Sequence, residues 1–106
     1  MFGHPLKEEI KMTSKVSEIT AQNIADYIRL DDYEESEILT YLNVAKNFIS
    51  NYTGISIDNL DNYADFVIVV FILCQDMYDN RSLYLDNGNI NKVVQVILDM
   101  HTMNNL

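Results

Sequence analysis

Apolar positions recur at helical spacing through most of this chain and divide it into four segments. In "TAQNIADYIRL", residues 20–30, Ala21, Ile24, Tyr27 and Ile28 fall three or four apart, on one face of an α-helix. Thr20 is placed as N-cap, and Asn23 stands where a capping box needs its third helical residue, though Glu or Gln is commoner there. This helix is expected to end near Leu30. In "SEILTYLNVAKNFISNYTG", Ile38, Leu42, Ala45, Ile49 and Tyr52 form a second stripe, widened by Leu39 and Phe48. It predicts a helix over about 33–52, stopped by Gly54. The third segment holds "FVIVVFILC", Phe66–Cys74, whose β-branched residues by propensity suit a buried strand. The rhythm continues at Tyr63, Phe66, Val67, Val70, Leu73, Met77 and Tyr78, longer than a strand. A helix over about 61–79 is therefore expected, capped by Asn59 or Asp61. Being apolar nearly all round, it belongs at the centre of the bundle or under a neighbouring subunit. The last helix, about 90–102, sets Ile90, Val93, Val94, Ile97, Leu98 and His101 on one face.

Between the third and fourth segments "DNRSLYLDNGN" reads as a connector. Asn87-Gly88 signals a tight turn, and "SLYL" is compatible with a short extended piece. Residues 1–11 hold the only proline and no sustained periodicity, so they contribute nothing to the fold argument. Read back into codons, "KEEIKM" can spell a ribosome-binding AAGGAGG ahead of Met12. Residues 1–11 are then a translated leader, and an ordinary N-terminal extension is the equal alternative. The expected fold class is all-α: one four-helix domain over residues 12–106, with two long helices.

Composition narrows the class. The 106 residues are 48% hydrophobic, enough for one small folded domain. Sixteen acids against seven bases give a formal charge of −9. That balance repels phosphate backbones, so tight DNA binding is not expected. The single cysteine, Cys74, has no intrachain partner and suits a reducing compartment. No apolar h-region follows the N-terminus, and the nine-residue run 66–74 reaches about half of a bilayer's hydrocarbon core.

The densest polar feature is "IRLDDYEESEI", with Asp31, Asp32, Glu34, Glu35 and Glu37 inside seven positions. A calcium loop needs alternating oxygen ligands, a glycine at the turn and a late bidentate Glu, and this stretch has none of that spacing. "DNGNIN" fails too, because the twelfth residue from Asp86 is Ile97. The structural reading explains more: Asp31 or Asp32 caps the second helix, while Glu34, Glu35 and Glu37 meet the positive end of its dipole. His4 and His101 lie at opposite chain ends, a poor start for a zinc site. Cys74 sits in the most apolar run and reads as a core thiol rather than a nucleophile. No phosphate-cradling glycine loop is present. An enzyme is not expected, nor any cofactor or metal.

Taken in order, "ITAQNIADYIRLDDYEE", "ILTYLNVAKNFISNYTG" and an apolar helix ending "MYDNR" resemble the head–tail connector (head-completion, DNA-packaging adaptor) family of tailed bacteriophages and prophages. The resemblance covers about Ser17 to Leu98. It departs at residues 1–11 and at the C-terminal "HTMNNL". It implies a structural virion protein at the head–tail interface, present in the host cytoplasm during assembly. Its subunits form a ring, typically dodecameric, under the portal protein, and a tail-side stopper or tail-completion protein attaches below. DNA passes through without being held. On this reading Val69 and Ile72 face outward from the third helix and line the ring interface. The C-terminal segment, through Leu98, Met100, Met103 and Leu106, docks to the portal, since uncharged methionine-bearing ends make adaptable contact surfaces. Other classes remain: an acidic helical interaction module such as a DNA-mimic inhibitor, a generic helical regulator, and an acyl-carrier-like domain. The last lacks its Asp-Ser-Leu attachment motif here.

Overall fold

The computed structural model describes residues 13–81, 85 and 90–102. These form four α-helices and two short 3-10 helices, with no strand among the described residues. The α-helices are α1 (Ala21–Ile28), α2 (Glu35–Thr53), α3 (Asp65–Asn80) and α4 (Lys92–Met100). A 3-10 turn, Val16–Glu18, precedes α1, and a second, Ile57–Asn62, lies between α2 and α3. The expected all-α class holds.

Local chemistry accounts for most of the helix ends. The Asn23 backbone N–H donates to Thr20 Oγ1, and the Thr20 N–H donates to Asn23 Oδ1, so the capping box is complete with an asparagine. Asn91 caps α4 by accepting from the backbone N–H groups of Val93 and Val94. Gly54 ends α2 at φ 84°, where the absent Cβ removes the steric cost. Helices α1 and α3 end differently, on Arg29 (φ 71°) and Arg81 (φ 50°).

Two expected caps are corrected. Neither Asp31 nor Asp32 caps α2; Glu34 occupies that position, without a side-chain hydrogen bond. Glu35 and Glu37 do lie in the first turn, where their charges favour the dipole. Helix α3 begins at Asp65 after Ala64, and residues 57–62 wind as 3-10 instead. Asp61 is therefore no cap. It accepts from the Ser17 N–H at 2.9 Å and the Ser17 hydroxyl at 2.6 Å, tying the two 3-10 turns together.

Helix α3 is the centre of the domain and packs on α1, α2 and α4. Phe66, Val67, Val69, Val70, Phe71, Leu73, Cys74 and Met77 are buried along it. Burial on several faces overrides the strand propensity of its β-branched run. This corrects the expected ring interface. Val69 is 0% exposed and belongs to the domain's own core, whereas Ile72 is half-buried. The reason is that α1 and α4 also cover α3, which leaves little of its circumference open.

At one end of the bundle Arg81 pairs with Glu37 at 2.8 Å, bringing the C-terminus of α3 to the start of α2. At the other end Tyr52 donates to Asp99 at 2.7 Å, and His101 Nε2 lies 2.9 Å from Asp65 Oδ2. Helix α4 thus runs antiparallel to α3, with its C-terminus at the start of α3. No helix among the described residues is long and apolar enough to cross a membrane. The turn expected at Asn87-Gly88, the "SLYL" piece and residues 1–11 lie outside the described residues.

Candidate functional site

The acid-rich turn does not gather into a metal site. No group of three or more His, Cys, Asp or Glu side chains fit to hold an ion occurs among the described residues. One of its acids is used structurally: Glu37 Oε2 accepts from the Tyr41 hydroxyl at 2.6 Å and from Arg81 at 2.8 Å. Arg81 also lies over the Tyr78 ring at 4.3 Å, and Tyr78 meets Tyr41 edge-on. Burial, then the hydrogen bond to Glu37, pushes the Tyr41 phenol up to about 12. The cluster locks α2 to α3.

Cys74 is buried, and its burial pushes the thiol up to about 12. It is protonated at neutral pH and packs as a small hydrophobe. His101 packs tilted against Tyr63 and edge-on against Phe66, with ring centroids 4.8 and 5.0 Å away, and contacts Asp65. It anchors the end of α4 to the start of α3. A shallow cavity of about 130 Å³ opens between the 3-10 turns, lined by Ser17, Lys46, Asp58 and Asp61 with Val16 and Ile57. The two hydrogen bonds from Ser17 hold the Asp61 carboxyl below its ordinary value.

The surface of α4 is different. Val94 and Leu98 are fully buried against the domain, and Ile97 packs beside them. Val93, Val96 and Met100 are 56%, 53% and 65% exposed. Their spacing of three and four residues makes them one continuous apolar stripe on the side away from Val94 and Leu98. An amphipathic helix ordinarily has its apolar face covered; the apolar face of α4 is wider than the domain covers, and its Val93–Val96–Met100 edge is open.

The expected docking residues are therefore redistributed. Leu98 is 0% exposed and unavailable for docking, because it fills the core beside α3. Val93, expected in that core, points away from it. Met100 is on the open stripe, and Met103 and Leu106 lie outside the described residues. Val96 is not among the expected docking residues, although its three- and four-residue spacing from Val93 and Met100 is legible in the sequence. A search of protein-family models, curated proteins and solved structures found no match to the chain.

Proposed function

We propose that this protein is a non-enzymatic assembly subunit, a head–tail connector that forms a ring under a portal and lets DNA pass toward the tail. The observation that carries the reading is the uncovered stripe of Val93, Val96 and Met100 on α4. A short, well-capped helix that leaves three large apolar side chains in water has surface to bury on a partner. Support also comes from the order of sequence elements that resembles the connector family, and from the formal charge of −9, which suits a channel wall along which DNA slides.

In this reading the portal covers the open stripe of α4. The ring contact falls to the outer surfaces of α2 and α3, where Leu39 is exposed and Ile72 half-buried. A tail-side protein binds the opposite face of the ring. The test is co-sedimentation with portal particles of the phage or prophage that carries the gene. Wild-type protein should pellet with the particles and appear as rings by electron microscopy. Val96→Asp and Met100→Asp should stay in solution while keeping their helical circular dichroism. Undiminished binding by both variants moves docking off α4, and failure of the wild type to bind overturns the connector reading.

A further inference from the structure

The open stripe of α4 has a register that selects its occupant. Val93, Val96 and Met100 take the a, d and a positions of a heptad. In the same register Lys92 and Asp99 both fall at g, beside the stripe, and both are exposed. Val94 and Leu98, which the domain core takes, fall at b and f on the other side. An a/d strip of this width fits one further helix.

We propose that α4 of a second copy covers this stripe, in antiparallel orientation. The charges decide the direction. In an antiparallel pair, g positions face g positions. Lys92 of each copy then meets the partner's Asp99 and Val93 opposes the partner's Val96, each twice by symmetry, with Met100 flanking the pair. In a parallel pair, g faces e, and the e positions here are Ile90 and Ile97, so neither charge finds an opposite. Asp99 accepts the Tyr52 hydroxyl through Oδ1, which leaves Oδ2 for the incoming lysine. The contact is isologous and closes on itself as a dimer.

Three apolar side chains per copy make a small interface, below the roughly 1,000 Å² of a stable complex. The pair is accordingly weak and exchangeable. It shields the apolar stripe in the free protein and gives way to a tighter partner on the same face. It goes beyond the connector reading and does not depend on it.

Sedimentation equilibrium of the purified protein, carried to millimolar concentration, tests the pairing. Wild type should show a reversible monomer–dimer equilibrium. Lys92→Glu sets two like-charge contacts across the seam and should weaken association about tenfold. Adding Asp99→Lys should restore it, and Val96→Asp should abolish it with unchanged helicity. An oxidised mixture of Val93→Cys and Val96→Cys proteins should give the mixed disulfide. A strictly monomeric wild type, a dimer indifferent to Lys92→Glu, or Val93→Cys linking to itself in preference would each overturn the proposal. With no portal present, a monomeric wild type leaves the connector reading standing. A dimer that binds no portal leaves the pairing standing.

Discussion

Both arginines of the chain hold the left-handed C-cap of a helix, a conformation that costs a residue bearing a Cβ about 1–2 kcal/mol. Glycine avoids that cost but gives up about 0.5–1 kcal/mol of chain entropy. At Arg29 no described side-chain hydrogen bond or ion pair offsets the difference, so Arg29→Gly should stabilise the domain by about 0.5–1 kcal/mol. For a domain of this size that raises the melting temperature by about 2–8 °C, readable by calorimetry. At Arg81 the same relief meets two losses. The partly exposed Glu37 pair contributes at most about 1 kcal/mol, and the Tyr78 ring contact about 0.5–1 kcal/mol. Arg81→Gly should therefore leave the melting temperature unchanged or lower it. Equal stabilisation by both substitutions would mean that the Glu37–Arg81–Tyr78 contacts add nothing.

Helices α3 and α4 show how far one element's pattern reaches. In α3 nearly every position is apolar, so periodicity cannot say which side meets a neighbour, and Val69 looked as available as Ile72. Packing by three helices assigns Val69 to the core. Val69→Asp buries an unpaired carboxylate and should unfold the domain, at a cost above about 4 kcal/mol. The matching change Val96→Asp, on the open side of α4, should move stability by no more than about 0.5 kcal/mol. Urea denaturation of the two variants measures the contrast, and similar midpoints would refute the placement of Val69. In α4 helical spacing groups Val93 with Val94 on one apolar face, and the domain covers only the Val94 side of it. The capping box of α1 was legible because it involves residues three apart. The start of α3 was not, because Asp61 is drawn away by Ser17, 44 residues distant.

For the whole molecule the charge balance predicts behaviour toward DNA. Five basic side chains among the described residues stand among many acids, so few counterions can be released on a duplex. Fluorescence anisotropy with labelled linear DNA should show no measurable affinity at about 0.15 M salt. A salt-sensitive submicromolar complex would contradict a passive channel wall. The same excess of acids repels separate copies at long range, so any contact between them rests on short-range apolar surface such as the α4 stripe.

The sequence by itself determined that the chain is helical, where its four helices roughly run, that Cys74 is a core thiol, and that the acid-rich turn is a helix boundary. Each of these follows from interactions within a few residues: 3.6-residue periodicity, capping pairs, a glycine stop, or ligand spacing that fails. Only the tertiary structure decided which apolar side chains are covered, since burial depends on neighbours distant in sequence. It took Leu98 and Val69 into the core and left Val93, Val96 and Met100 in water. It also gave Glu37 to Tyr41 and Arg81, and Asp61 to Ser17, because a carboxylate goes to whichever donor the fold brings within hydrogen-bond distance.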